Sequence, residues 1–261
     1  MLETIAQRHL ERYRDEMILE LRCMQSAQPA SKDILIVIHN ELPYVEKCIE
    51  SVRQNTENYQ LYLWDNASDS ITRQYLKSIK DAVLVEHDEN IGFGEPNNRL
   101  AAMGSGEYLI LLNSDTLTFA GWAEALVGWL QQHPECAEVG FLGGLLDEDG
   151  KGGRATWGSK IDYVMGFCAC ISRETYQQYG LFDPVYKFAY CEDADLSLRL
   201  RSAEKDLHAL HLMLIHHYEN RTIRSVVSKG VDVDSTFTAN HAILRDRWGT
   251  YLRTQRMDLQ K

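Results

Sequence analysis

No stretch of this 261-residue chain holds the ~18 or more consecutive apolar residues that a membrane-spanning helix needs. No apolar leader stands near Met1 either, so the expected location is cytoplasmic, with the inner face of a membrane open to peripheral association. Cysteines number only six and none is spaced as CxxC, which excludes a thiolate zinc knuckle or a redox pair of that type. Cys168 and Cys170 alternate on one strand face, and buried reduced thiols are the expectation. In a reducing compartment the glycosylation-type triplets at Asn66 and Asn220 are accidental.

Basic charge is scarce. Lys and Arg total 27 against 38 Asp and Glu, giving a net charge of -11 and no local basic cluster. A nucleic-acid backbone is therefore excluded as a partner, although a single nucleotide is not. The chain also lacks GxGxxG after its first apolar run, where His39-Asn40-Glu41-Leu42-Pro43 stands instead. That absence argues against a nicotinamide oxidoreductase, and the lack of a Gly-rich basic loop argues against a nucleotidyltransferase.

What is present is an alternation of short apolar runs with helical segments. Residues 1–30 read as a helical arm and linker, with Ile5, Leu10, Met17, Leu21 and Met24 loosely periodic. This arm could dock on the domain, pair with another copy in a homo-oligomer, or lie on a membrane surface. From Asp33 the strands ILIVI (34–38), LYLW (61–64), VLVE (83–86) and YLILL (108–112) are separated by helices, two of them entered through Pro43 and Pro96. This is the pattern of an α/β fold, a Rossmann-like, mostly parallel sheet flanked by helices. The main domain is expected over residues 31–225, followed by a C-terminal helical extension over 226–261.

Each of the four strands ends in a polar cluster: His39-Asn40-Glu41, Asp65-Asn66-Ala67-Ser68, His87-Asp88-Glu89-Asn90, and Asn113-Ser114-Asp115. The carboxyl ends of parallel strands line one crevice, so four such clusters in succession point to a ligand site.

These residues resemble the family-2 glycosyltransferases of the GT-A fold, in particular the bacterial rhamnosyltransferase-like branch, over roughly residues 33–225. The resemblance rests on Asp65-Asn66-Ala67-Ser68, on Asn90-Ile91-Gly92-Phe93-Gly94 with Asn97 and Asn98, and on Asn113-Ser114-Asp115 in the place of the family's Asp-x-Asp. It rests further on Gly180-Leu181-Phe182-Asp183-Pro184 and Glu192-Asp193-Ala194-Asp195-Leu196.

The resemblance implies transfer of a sugar, with inversion, from a nucleotide-diphospho-sugar (UDP, dTDP or GDP type) to a glycan or lipid-linked acceptor, in bacterial surface polysaccharide synthesis. It implies donor contacts from His39, Asn40, Glu41, Asp65, Asn66, Ser68, Asn90, Gly92, Phe93, Asn97, Asn113, Ser114 and Asp115, with Asp65 on the base. It implies a Mn²⁺ or Mg²⁺ ion held by Asp115 and by a histidine, with His217 preferred over His216 and Thr222 following it. Asp193 is then the catalytic base and Glu192, Gly166 and Trp157 belong to the acceptor side.

The chemistry needs these types. A departing diphosphate needs a cation against its growing charge, and an acceptor hydroxyl needs a positioned carboxylate. Other readings stay open for single residues. Acidic residues in CEDADLSLRLRSA suit a helix start, Arg199 and Arg201 could neutralise them, and a histidine at a strand end is commonly just hydrogen-bonded. Trp122, Leu126 and Trp129 read as core, and the glycine-rich 145–160 segment reads as a hairpin or a mobile loop. A non-catalytic nucleotide-sugar binding module is the competing function, motivated by Asn113 in place of a carboxylate.

Overall fold

The computed structural model describes residues 2–218 and 232–258, so Asn220, Thr222 and the boundary drawn at 225/226 lie outside the described residues. Four apolar runs form the parallel heart of the sheet: β1 (Lys32–Ile38), β2 (Tyr59–Asn66), β3 (Ala82–His87) and β4 (Tyr108–Leu112). β1 pairs in parallel with both β2 and β4, and β2 with β3. These strands are apolar on both faces because helices cover both. Ile34, Ile36 and Ile38 point into one cluster and Leu35 into the other.

The seven-stranded sheet continues beyond β4 with β10 (Cys168–Ser172), β6 (Cys136–Gly140) and β11 (Asp206–Ala209), in the order β11-β6-β10-β4-β1-β2-β3. β10 runs antiparallel to both of its neighbours, while β11 runs parallel to β6. Cys168 and Cys170 do share a face, and all six thiols are free and buried.

Crossover helices α2 (Leu42–Asn55), α3 (Ser70–Ser78) and α4 (Gly94–Met103) connect the parallel strands. Pro43 sits in the first turn of α2, where its missing N–H costs nothing. α5 (Trp122–Gln132) buries Trp122, Leu126 and Trp129 in the core, and α6 (Arg173–Tyr179) follows β10. α7 (Glu192–Ser202) carries the acidic first turn, with Leu196 and Leu200 facing inward.

Two small sheets sit above the strand ends. β5 (Thr116–Thr118) pairs with β12 (Ile215–His217), and β7 (Gly143–Leu146) pairs with β8 (Gly152–Thr156) and β9 (Tyr163–Val164). The 145–160 segment is therefore largely a β-hairpin.

Helix α1 (Leu2–Ser26) docks on the domain. Its Cys23 is buried in the main core, and a Cβ on Gly128 of α5 would lie 2.2 Å from the Cys23 carbonyl oxygen, so glycine sets how closely α1 and α5 approach. Gln28 and Gln131 exchange hydrogen bonds just beyond, at 2.8 and 3.1 Å. Ile18, Leu19 and Leu21 remain exposed on α1. The last helix, α8 (Val233–Asp258), packs against α7: Arg247 and the Trp248 indole N–H donate to Asp195 Oδ1 at 2.9 and 2.8 Å. Among the described residues no helix is long and apolar enough to cross a membrane.

Candidate active site

The polar ends of β1, β2 and β3 are laced to one another before any ligand is considered. The Asn66 carbonyl meets His39 Nδ1 at 2.7 Å, and the Asn66 side chain donates to Asn90 Oδ1 and to the Gly92 carbonyl, both at 2.8 Å. Asn40, Glu41 and Ala67 hold the backbone at positive φ (60°, 58° and 60°), a conformation that costs non-glycine residues and that recurs where loops shape a site.

Above these ends lies a cavity of about 640 Å³. His39, Asn66, Asn90, Gly92, Phe93, Asn113, Ser114, Asp115, Trp157, Gly166, Glu192, Asp193 and His217 all line it. The sheet and two small sheets thus bring together residues from Val37 to His217.

Five expected donor residues do not line this cavity. Asp65 is fully buried beneath it, accepting from the Ser68 backbone at 2.9 Å and pairing with Arg73 Nε at 2.8 Å. With both oxygens engaged, Asp65 shapes the loop and is not among the residues lining the cavity. Ser68 Oγ accepts from the Asn40 amide, and Asn40 Oδ1 accepts from the Asp69 amide, so these two hold the β1 and β2 loops together. Glu41 caps α2 through its carbonyl, and Asn97 Nδ2 donates to the Phe93 carbonyl at 2.9 Å.

On one wall, His217 Nε2 lies 3.1 Å from Asp115 Oδ1 and 3.4 Å from Asn113 Nδ2. The pairing of β12 with β5 produces this approach, because His217 stands opposite Thr116, the residue after Asp115. Phe167 stacks on the His217 ring at 4.7 Å and fixes its plane. His216 lines the cavity as well but packs edge-on to Tyr218.

On the other wall, Asp193 sits in the first turn of α7 and is partly open to the cavity. The Gly166 amide donates to its Oδ2 at 3.0 Å and the Ala194 amide to its Oδ1 at 2.8 Å. Burial raises the Asp193 carboxyl above its ordinary value, against the pull of these N–H groups. Burial, and then the charge of Asp193, push its neighbour Glu192 up to about 8. Glu192 therefore holds its proton at neutral pH, as one of two interacting buried carboxyls does.

Neither following arginine reaches Asp193. Arg199 holds Asp195 at 2.9 Å and Arg201 holds Asp162 at 2.7 Å. The approach to α7 is strained, with Phe188, Tyr190 and Cys191 at φ of 63°, 75° and 74°. Phe188 and Tyr190 thereby line the cavity together with Tyr163, Met165 and Met213. That backbone conformation leaves no mark in the sequence. Tyr163 and Met213 carried no signal there.

The profile of the family described as Glycosyl transferase family 2 matches residues 33–180. Over 127 residues the chain is 31% identical to the poly(ribitol-phosphate) beta-glucosyltransferase of Bacillus spizizenii, a match covering 46% of this chain and 20% of that one. It is 23% identical to the rhamnosyltransferase WbbL of Escherichia coli over 229 residues, covering 74% of this chain and 86% of the relative. The chain thus spans a fifth of the first relative and most of the second. A solved mannosyltransferase from Pyrobaculum calidifontis, in complex with GDP-Man and Mn²⁺, superposes with a TM-score of 0.58 at 15% identity, covering 98% of this chain and 85% of that one. The shared fold is GT-A.

Proposed function

Since the chain belongs to glycosyl transferase family 2, we propose that it moves a sugar, with inversion, from a nucleotide-diphospho-sugar to a hydroxyl of a glycan or lipid-linked acceptor. The setting would be bacterial surface polysaccharide synthesis at the cytoplasmic face of the membrane. The carrying observation is that Asp193 on one wall and the Asp115–His217 pair on another face a single cavity.

The donor set on the second wall fits a divalent ion. A carboxylate oxygen beside an imidazole nitrogen suits Mn²⁺, with Mg²⁺ the harder alternative. Asp115 and His217 would hold it, and when bound it supplies positive charge against the departing diphosphate. Asn66, Asn90 and Asn113 offer uncharged donors and acceptors along the same cavity.

Asp193 is the group that accepts the acceptor hydroxyl's proton. Two backbone N–H groups fix its carboxylate and favour its ionised form, while the protonated Glu192 spares the cavity a second negative charge. The apolar walls of Phe93, Tyr163, Met165 and Phe188 exclude water that would otherwise compete with the acceptor. A base on the side away from the leaving group supports in-line displacement, hence inversion.

The experiment is turnover of UDP-, dTDP- and GDP-sugars with Mn²⁺, comparing the native chain with Asp193→Asn. A donor that binds but is neither transferred nor hydrolysed by either protein would instead favour a binding module.

A further inference from the structure

A second convergence of ligand atoms lies outside the cavity, where α1 meets the end of β11. Glu20 Oε1 is 3.0 Å from His208 Nε2 and 2.8 Å from His211 Nδ1, and all three ligand atoms fall within 4.8 Å of one another. The three side chains are almost wholly buried, with 0%, 4% and 5% of their surface exposed.

Of the outward-facing atoms all but one are engaged. His208 Nδ1 meets Ser159 Oγ at 3.0 Å and the His211 backbone N–H donates to Glu20 Oε2 at 2.9 Å, while His211 Nε2 is buried 3.2 Å from Glu16 Oε2 without forming a hydrogen bond. Trp129 stacks flat on the His208 ring at 3.7 Å and Tyr13 packs at 4.6 Å from His211. Ring planes and carboxylate rotamer are thus set from outside, leaving Nε2, Nδ1 and Oε1 aimed at one point.

Proton bookkeeping shows what that point lacks. Glu20 Oε1 meets a ring nitrogen of both histidines, while the far nitrogen of His211 is buried without a hydrogen-bond partner. A cation among the three inner atoms fits this arrangement. His211 then binds through Nδ1 with its Nε2–H turned towards Glu16, and His208 binds through Nε2 and donates Nδ1–H to Ser159. This is the outer-shell arrangement that metal-bound imidazoles adopt.

From this convergence we infer that Glu20, His208 and His211 form a divalent transition-metal site, selective for Zn²⁺, which ties α1 to the strand end beside the cavity. Two imidazoles and one carboxylate are a recurrent three-ligand zinc set, and they favour Zn²⁺ over Mg²⁺ or Mn²⁺. The role is structural: the ligands come from positions 20 and 208–211, so the ion would cross-link distant parts of the chain.

The test uses the full chain carrying Asp115→Ala, which disables the cavity's own ion, stripped with chelator and titrated with Zn²⁺ and separately with Co²⁺. One tight equivalent is expected, with the visible absorption of four-coordinate Co²⁺ held by two imidazole nitrogens, one carboxylate oxygen and a water. Adding Glu20→Gln or His211→Ala should abolish the spectrum, and Ser159→Ala should weaken binding about 10–100-fold. Ser159 is exposed, so its variant decides the matter even where the buried changes unfold the chain. Equal Zn²⁺ affinity with and without Ser159→Ala and Glu20→Gln overturns the site, as does the absence of saturable binding.

Discussion

The Gly166 amide donates to Asp193 Oδ2 at 3.0 Å, and a Cβ built on Gly166 would stand 3.3 Å from the Asp193 Cβ. The residue that orients the carboxylate thus has no room for a side chain. Gly166→Ala should push Asp193 aside by a few tenths of an ångström while leaving φ unstrained. Displacements of ~1 Å can cost ~10² in rate, so kcat should fall about 10- to 100-fold with donor KM nearly unchanged. Steady-state kinetics on the soluble variant check this, and an unchanged kcat would show that the contact positions nothing.

Asp193→Asn removes the proton acceptor but keeps the shape and one of its acceptor oxygens. A loss of ~10² to 10⁴ in kcat is expected, with donor affinity by calorimetry within about twofold of native. Glu192→Gln is expected to behave oppositely, because Glu192 holds its proton up to about 8 and the amide mimics that state. At neutral pH its turnover should match the native chain. Above about pH 8 the native chain gains the negative charge of Glu192 against an anionic donor and its KM should rise, while the Gln variant stays flat. A KM rise of the same size in both variants refutes this account.

The Asp115–His217 contact of 3.1 Å makes two distinct demands on metal titrations. Asp115→Ala should abolish Mn²⁺-dependent turnover. His217→Ala should keep it but raise the half-saturating Mn²⁺ about tenfold, since an oxygen-rich site remains. Asn113→Asp, which adds a carboxylate where Asn113 Nδ2 now lies 3.4 Å from His217, should lower that concentration. Identical titration curves for Asp115→Ala and native would remove the ion from this wall.

The parallel strands were legible because each is a short apolar run closed by polar residues, and YLILL coincides with β4 residue for residue. The place of β10 was not, since Cys168–Ser172 reads as a strand of either direction and only the packed chain sets it antiparallel between β4 and β6. Asp193, Asp115 and His217 were named through the family resemblance, on the mark that acidic residues and a histidine leave after strands or at a helix start, and the packed chain brings all three to one cavity. Asp65 leaves the same mark, yet it turns to Arg73 across the first turns of α3 and is buried there. Nothing local separates a carboxylate that lines a cavity from one that ties a loop. Phe188 and Tyr190 occupy left-handed backbone without a glycine to announce it. Glu20 finds its partners 188 and 191 positions away, beyond the reach of any sequence window.

Glu138, on β6 behind α7, is fully buried and receives the Ser197 hydroxyl at 2.6 Å, while the Val164 amide donates to that hydroxyl. Burial pushes its carboxyl from an ordinary 4.5 up to about 8. Between these values the folded chain holds a proton that the unfolded chain has released, so stability falls as pH rises through the window and levels off above it. The slope for one such group is about 1.4 kcal/mol per pH unit. Glu192, raised to about 8 by burial beside Asp193, adds a second contribution of the same sign. Glu138→Gln keeps an oxygen for Ser197 and has no proton to lose. Denaturant unfolding at pH 5.5, 6.5 and 7.5 should therefore show the variant losing less stability across the series than the native chain, with its advantage greatest at pH 7.5. Parallel stability curves for the two proteins would mean that Glu138 is ionised in the folded state, and the Ser197 hydroxyl would then be answering a charge.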